Sequence, residues 1–261
     1  MVLKTPTFWY RHTSAPAPLA EYALAPLAWL YGLGHNLNQS LKTPYKSAIP
    51  VICIGNAVAG GGGKTPAALA VMALIKNQKL FKNPCFLSRG YGGTLPGPAL
   101  VNDDMNAAQT GDEPLLLARA APTVIARDRV EGAKFCAAQG FDAIVLDGMQ
   151  NPSLHKDITL MVIDGTAGFG NGKTIPAGPL REPLDSAFAR ADAFILIGKD
   201  ERGTVPALPP GKPLFTAHIK PMLPDEPTIS SPFLAFAGLG RPEKFYRMLV
   251  ALGANIKAWR P

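Results

Sequence analysis

A glycine-rich loop, placed between a short apolar run and a helix-forming segment, constrains the fold of this chain more than any other feature. The apolar run spans residues 51–54, the loop ends in four consecutive glycines, and Lys64, Thr65 and Pro66 open an alanine-rich segment. Glycines let backbone N–H groups turn toward an anion, and a helix N-terminus adds partial positive charge there. The order of strand, loop and helix predicts a phosphate-binding loop, the alternative being a glycine-rich turn before an ordinary core helix.

The position of each loop residue indicates its chemistry. Lys64 would reach the β- and γ-phosphates of a nucleotide, and the Thr65 hydroxyl would bind Mg²⁺. Val58 stands where the usual pattern has its first glycine. The predicted nucleotide-binding residues are Val58, Ala59, Gly60, Gly61, Gly62, Gly63, Lys64 and Thr65.

Apolar runs alternate with helix-forming stretches from residue 48 onward. This alternation predicts an α/β fold whose mostly parallel sheet is flanked by helices, as in P-loop NTPases. The predicted strands are residues 51–54, 85–87, 123–126, 143–146, 160–163 and 194–197, and the predicted helices are residues 66–76, 113–119 and 129–138. Such sheets bind ligands at the carboxyl ends of their strands, where the glycine loop lies.

A stretch rich in glycine and proline, residues 198–211, indicates a linker or an exposed crossing before a smaller α/β unit. The smaller unit would contain strands at residues 214–218, 233–236 and 255–258 and a helix at residues 242–252. We predict a membrane-associating segment at residues 1–45, a phosphate-loop domain at residues 46–200 and the smaller domain at residues 201–261.

The first 31 residues carry two tryptophans, three tyrosines and a phenylalanine, with basic residues among them. Glu21 and Pro26 interrupt this segment, which lacks the features of a signal peptide and is too short and broken to span a bilayer. Aromatic side chains beside basic ones suit the membrane–water interface. The alternative is an N-terminal helix that packs against the protein core.

The chain has a formal net charge of +7, which suits an anionic partner such as a nucleotide or a phospholipid headgroup. No basic stripe with interleaved aromatics and no nucleic-acid motif is present, so no nucleic-acid partner is predicted. The three cysteines, Cys53, Cys85 and Cys136, are far apart and form no metal-type pair. Their odd number argues against a disulfide framework and favours a reducing, cytoplasmic location.

A second acid for Mg²⁺ should end an apolar strand near the loop. Asp147 and Asp164 each follow such a strand and precede a glycine, so the pattern leaves both open, and either could be a turn residue. Residues 170–174 also contain Gly-Lys-Thr, but Pro176 follows closely, so no helix begins there and no second phosphate loop is predicted.

Asp112 precedes Glu113 and Pro114 at the start of a predicted helix. It could cap that helix, or it could be the carboxylate base that accepts a hydroxyl proton in phosphoryl transfer. The candidate phosphate-facing cations are Arg89, Arg129 and Arg181.

Five groups of residues, in this order, resemble the tetraacyldisaccharide 4′-kinase family, the lipid A 4′-kinases of Gram-negative bacteria. They are residues 55–66, 88–92, 111–114, 147–150 and 170–182. The resemblance implies an ATP- and Mg²⁺-dependent enzyme that phosphorylates the 4′-hydroxyl of tetraacyldisaccharide 1-phosphate to give lipid IVA. It also implies peripheral contact of the N-terminal segment with the cytoplasmic face of the inner membrane, because a substrate with four acyl chains lies in a bilayer.

The resemblance also implies roles for individual residues, and it assigns Asp164 a structural one. The implied catalytic residues are Asp112 as base, Lys64 and Arg181. The implied magnesium ligands are Thr65, Asp147 and Glu182. The residues implied to line the substrate site are Ser88, Arg89, Tyr91, Glu113, Arg129 and Gln150.

Three features depart from the family's pattern. Leu146 stands where many relatives have an acid, Asn151 replaces a frequent histidine, and the sequence ends at Pro261, before the family's Asp-His-His motif. A catalytically impaired, membrane-associated nucleotide binder is therefore one alternative function. A nucleotide-dependent switch is another, although residues 198–201 match a guanine-reading Asn-Lys-x-Asp motif only in part.

Overall fold

The computed structural model describes residues 5–11, 16–221, 232–237 and 242–260. Residues 1–4 and 12–15 of the predicted N-terminal segment therefore lie outside the described residues. The helices are α1 Leu19–Ser40, α2 Lys64–Asn77, α3 Ala107–Thr110, α4 Asp112–Ala118, α5 Arg129–Ala138, α6 Leu184–Arg190 and α7 Pro242–Ala251, with short 3-10 helices at Thr7–Tyr10 and Val205–Ala207. The strands are β1 Val51–Gly55, β2 Pro84–Ser88, β3 Ala99–Leu100, β4 Thr123–Ile125, β5 Ala143–Asp147, β6 Ile158–Asp164, β7 Ala193–Ile197, β8 Leu214–Ala217, β9 Phe233–Phe236 and β10 Ile256–Arg260.

Eight strands form one sheet in the order β3-β4-β2-β5-β1-β6-β7-β8. All neighbouring pairs are parallel except β3 with β4, which confirms the predicted mostly parallel α/β sheet. The glycine-loop strand β1 lies near the middle, between β5 and β6. Because these three strands are parallel, the acids that end β5 and β6 lie on either side of the glycine loop.

Apolar side chains cover both faces of the sheet, as a parallel sheet requires. Along β1, Ile52 and Ile54 belong to the cluster that contains Met72 of α2, whereas Val51 and Cys53 belong to the cluster that contains Cys136 of α5. The strand is therefore buried on two sides, and its unbroken apolar run reflects two hydrophobic layers rather than one.

The structure corrects two predicted boundaries. Residues 214–218 were expected in the smaller unit, but β8 pairs with β7 and extends the main sheet. A strand after a linker-like stretch gives no local signal of its pairing partner, so this placement depends on long-range contacts. Helix α2 also begins at Lys64, earlier than the predicted residue 66, because Gly63 at φ 80° turns the chain directly into the helix.

The smaller unit consists of β9, α7 and β10, with the two strands paired in parallel. An ion pair joins it to the main sheet, since Lys244 Nζ of α7 lies 2.5 Å from Asp164 Oδ2 at the end of β6. At the other end of the chain, α1 runs unbroken through Pro26. No helix among the described residues has the length and apolar character needed to cross a membrane.

Candidate active site

The glycine loop leads from β1 into α2, so the first backbone N–H groups of the helix open toward the loop. Gly60 and Gly63 both have positive φ, 83° and 80°. A Cβ at Gly63 would lie 2.6 Å from Ile197 Cδ1, so a side chain here would have to displace the end of Ile197. Positive φ favours glycine at both positions, and the approach of Ile197 is a further reason at Gly63.

Asn56, the first residue after β1, lies beneath the loop and is 1% exposed. Its Nδ2 is buried with no hydrogen-bond partner among the described residues. A Cβ at Gly62 would overlap that nitrogen, so Gly62 and the Asn56 amide are packed directly against each other. A buried donor of this kind costs free energy unless a partner satisfies it.

A second segment, residues 173–181, pairs with the loop and is called the support segment below. The Ala59 N–H donates to Pro179 O at 2.7 Å, and the Arg181 N–H donates to Ala57 O at 2.8 Å. The Gly-Lys-Thr sequence of residues 172–174 overlaps the start of this segment and contacts α1, because Thr174 Oγ1 donates to the carbonyl oxygen of Ala28 at 2.8 Å. The sequence-based exclusion of a second phosphate loop is therefore consistent with the structure.

Asp147 ends β5 beside the loop strand, and its Oδ1 atom is buried without a hydrogen-bond partner in the described part of the chain. Burial raises the pKa of Asp147 from 3.8 to about 6; the neighbouring Glu113 carboxylate adds to the rise, and Lys64 and Arg129 oppose it. Arg129 is itself buried, and its Nη2 donates to the Asp147 carbonyl oxygen at 2.9 Å. A desolvated, unpaired carboxylate oxygen is chemically suited to a cation.

Asp164, the other acid that the sequence left open, lies on the opposite side of β1. Its Oδ1 accepts the Thr166 N–H at 3.1 Å and the Thr166 hydroxyl at 2.8 Å, and its Oδ2 pairs with Lys244. The carboxylate therefore organises the turn after β6 and holds α7. These contacts support a structural role for Asp164.

Helix α4 begins at Asp112, and its N-cap residue is Gly111 at φ 84°. No side-chain hydrogen bond caps the helix, so the capping interpretation of Asp112 is wrong. Asp112 is exposed, whereas Glu113 turns inward and its Oε1 accepts the Thr65 hydroxyl at 2.6 Å. This contact ties the start of α4 to the start of α2, and sequence spacing gave no signal of it.

The loop after β2 lies against the segment that precedes α4. Ser88 is buried, Arg89 is exposed, and the Tyr91 side chain is 88% exposed. A Cβ at Gly111 would overlap the carbonyl oxygen of Tyr91, so the two backbones are in direct contact. Arg89 and Tyr91 therefore stand near Asp112 with side chains open to solvent.

Two predicted residues have other contacts. Gln150 Nε2 donates to the carbonyl oxygen of Asn56 at 2.6 Å, which makes it a support of the loop. Glu182 is fully buried, pairs with Arg190, and lies 3.4 Å from His35 Nε2. These contacts involve Glu182 Oε2, whereas Oε1 is buried without a hydrogen-bond partner among the described residues. Because Arg190 already pairs with this carboxylate, the proposed magnesium site uses Thr65 and Asp147 instead. Arg181, next to it, is exposed at the end of the support segment.

A nucleotide-dependent switch would need residues 198–201 to read guanine, but the aspartate of this stretch makes hydrogen bonds within its own turn. Asp200 accepts the backbone N–H groups of Arg202, Thr204 and Val205 at 3.3, 2.9 and 2.9 Å. A carboxylate held inside its own turn in this way is not directed at a nucleotide base. The structure therefore gives no support to a guanine-reading site at residues 198–201.

Within the described ranges, no group of three or more histidine, cysteine, aspartate or glutamate side chains could hold a metal ion. A magnesium site does not need such a group of side chains, because Mg²⁺ is usually held by one or two protein oxygens together with substrate phosphates and water. The unpaired Asp147 Oδ1 and the Thr65 hydroxyl beside the loop fit that pattern.

Comparisons with known proteins identify one family. The family model described as tetraacyldisaccharide-1-P 4′-kinase matches residues 20–261. Two curated proteins named tetraacyldisaccharide 4′-kinase are similar over nearly the whole chain. The one from Rhodospirillum centenum is 45% identical over 266 residues, covering 99% of this chain and 77% of that protein. The one from Parvibaculum lavamentivorans is 46% identical over 262 residues, covering 97% and 75%.

The chain is also similar to the solved structure of LpxK from Aquifex aeolicus in complex with ATP, with a TM-score of 0.77 at 29% sequence identity. The match covers 93% of this chain and 81% of that one.

Proposed function

This chain belongs to the tetraacyldisaccharide 4′-kinase family, and we propose that it transfers the γ-phosphoryl group of ATP to the 4′-hydroxyl of tetraacyldisaccharide 1-phosphate. The observation that carries the proposal is the buried, unpaired Oδ1 of Asp147 beside a glycine loop that closes with Lys64 and Thr65. A nucleotide phosphate site needs these three elements together: backbone N–H groups, a lysine and a cation-binding acid.

The loop would bind the phosphates of ATP through its backbone and through Lys64. The support segment keeps residues 57–59 in place by hydrogen bonds, so the loop is organised before a ligand arrives. Preorganised donors stabilise developing charge without reorganisation during the reaction, and this term commonly dominates phosphoryl transfer.

Thr65 and Asp147 would hold Mg²⁺. In this site the ion would neutralise charge on the β- and γ-phosphates. The Thr65 hydroxyl donates its hydrogen to Glu113, which leaves the lone pairs of its oxygen available to bind the ion.

Asp112 would act as the base that orients and deprotonates the sugar hydroxyl. It is exposed at the first residue of α4, while its neighbour Glu113 contacts Thr65 at the loop. This arrangement supports the proposal that Asp112 would lie near the bound phosphates and remain open to a second substrate. The side chains of Arg89, Arg181 and Tyr91 are also exposed, and the two arginines would attract an anionic lipid.

The enzyme would work at the cytoplasmic face of the inner membrane as a peripheral protein. Helix α1 supports this proposal, because one side of it packs on the protein while large apolar side chains on the rest of its surface are exposed, including Trp29 at 67% and Leu30 at 55%. Such a helix can lie in the interface with its apolar side chains among lipid headgroups.

The test is the substitution Asp112→Ala, assayed for phosphorylation of tetraacyldisaccharide 1-phosphate in detergent micelles. We expect turnover to fall by about 10²-fold or more, the range of a general base, with ATP binding nearly intact. The matched control is Asp104→Ala, which removes another exposed aspartate and should retain wild-type turnover. Unchanged turnover in the Asp112→Ala protein would rule out the role of the base.

A further inference from the structure

Two hydrogen bonds connect α1 to the glycine loop. Gln39 Nε2, near the end of α1, donates to the carbonyl oxygen of Gln150 at 2.8 Å. Gln150 Nε2 in turn donates to the carbonyl oxygen of Asn56 at 2.6 Å. Gln39 of α1 is thus connected to Asn56, at the start of the loop, through Gln150 alone.

The residues in this connection have little room to move. Met149, just before Gln150, is fully buried, and its Cβ lies 2.5 Å from the position that a Cβ on Gly55 would occupy. Asn56 is buried as well and is packed against Gly62. In a packed interior a displacement at one residue is transmitted to its neighbours, so a shift of Gln150 would move the Asn56 end of the loop.

Gln39 Nε2 also lies 3.3 Å from His35 Nε2 of the same helix, and two other contacts of α1 lead to different parts of the chain. Ser186 Oγ of α6 donates to Asn36 Oδ1 at 2.9 Å, and Thr174 Oγ1 donates to Ala28 O. Asn36 and Gln39 are therefore neighbours on the same helix and both make side-chain hydrogen bonds, but Asn36 binds α6. The pair offers a matched comparison between fixing the helix and positioning the loop.

We propose that Gln39 is a positioning residue for the nucleotide site, acting through Gln150 on the Asn56–Gly62 part of the glycine loop. Its contribution rests on the proposed function, because it presumes that the loop binds ATP. The expected role is to hold the loop in its binding conformation. The affinity for ATP then depends on α1, whose side facing away from the protein is apolar and exposed.

The experiment measures the dissociation constant for ATP, in the presence of Mg²⁺, with the full chain and three variants. Gln39→Met keeps the length of the side chain and removes the donor. Gln39→Lys restores a donor of similar reach. Asn36→Ala removes the neighbouring contact to α6. The thermal midpoint of each nucleotide-free protein is recorded alongside, because a merely structural role would lower stability without a selective effect on ATP.

We expect Gln39→Met to weaken ATP binding about fivefold or more, in line with one lost hydrogen bond, and Gln39→Lys to recover most of that loss. Asn36→Ala should bind ATP within about twofold of the wild-type chain. Equal ATP affinities of the Gln39→Met and Asn36→Ala proteins would overturn the inference, as would an unfolded Gln39→Met protein together with weak binding by Gln39→Lys. A wild-type chain that binds no ATP would instead contradict the proposed function, and the inference with it.

Discussion

At the scale of single residues, Asp147 shows a conflict between stability and function. Its carboxylate is buried and one oxygen has no hydrogen-bond partner among the described residues, so its charged form is poorly solvated. A protein gains nothing in stability from such a group. The arrangement is understandable if a cation completes it when nucleotide binds.

The substitution Asp147→Asn should therefore stabilise the ligand-free protein at neutral pH. The folded-state pKa of about 6 lies above the ordinary 3.8, so the stabilising contribution of the protonated acid is complete below about pH 4 and is lost as the pH rises through about 6. From that shift we expect a gain of about 1–3 kcal/mol in the free energy of unfolding at about pH 7.5, and no gain at about pH 4. Urea titrations at both pH values, without nucleotide or divalent ions, provide the measurement.

The same variant should lose kinase turnover by at least about tenfold, because it lacks the proposed magnesium ligand. Asp104→Asn is the control, since that aspartate is exposed and its replacement should change neither stability nor turnover. A ligand-free Asp147→Asn protein that is less stable than wild type at neutral pH would show that the carboxylate contributes to the fold instead.

At the scale of elements, α1 has a packed side and an exposed side. Ala28 and Gly32 are buried against the support segment and Pro183, whereas Trp29, Leu30 and Leu33 are more than half exposed. Buried Glu21 anchors the start of the helix by a bidentate pair with Arg11 at 2.8 and 3.0 Å. The helix is thus held firmly to the protein while it presents apolar side chains outward.

Replacing Trp29, Leu30 and Leu33 together by serine should reduce binding to vesicles of anionic phospholipid by about tenfold or more, since much apolar area is lost from the interface. Co-sedimentation with the vesicles measures the effect. The control replaces Leu74 and Leu80, which are exposed away from α1, by serine and should sediment like wild type. Equal sedimentation of the two variants would show that the exposed surface of α1 does not contact the bilayer.

The central strands and helices could be predicted from sequence because each carries a local signal. The buried strands are unbroken apolar runs, and the glycine loop precedes a segment rich in alanine. Three features could not be predicted in this way. They are the contact between Thr65 and Glu113, the pairing of the support segment with residues 57–59, and the position of β8 in the sheet. Each joins residues far apart in the chain, so it depends on topology and packing rather than on local pattern.

The magnesium acid is an intermediate case. Asp147 and Asp164 have the same local sequence context, and the sheet places both beside β1. Their surroundings differ: Asp164 has Thr166 and Lys244, whereas Asp147 keeps one oxygen without a partner in the described structure. Only the three-dimensional arrangement distinguishes the two.

At the scale of the whole molecule, the glycine loop is supported from several sides. The N-terminal segment reaches it through Tyr10, whose hydroxyl donates to Ala59 O at 3.3 Å, and α1 reaches it through Gln150. The smaller unit contacts Asp164, at the end of the strand next to β1. Parts of the chain that are distant in sequence therefore converge on the proposed nucleotide site.

The central claim is that this site transfers a phosphoryl group from ATP to a lipid disaccharide. The most direct measurement incubates the purified 261-residue chain with ATP, Mg²⁺ and tetraacyldisaccharide 1-phosphate, and locates any new phosphate by mass spectrometry and phosphorus NMR. We predict one new phosphomonoester, at the 4′ position, that forms with ATP and is lost in a Lys64→Met protein. ATP bound by the wild-type chain with no phosphate transferred to the disaccharide would contradict the account and favour a nucleotide binder without kinase activity.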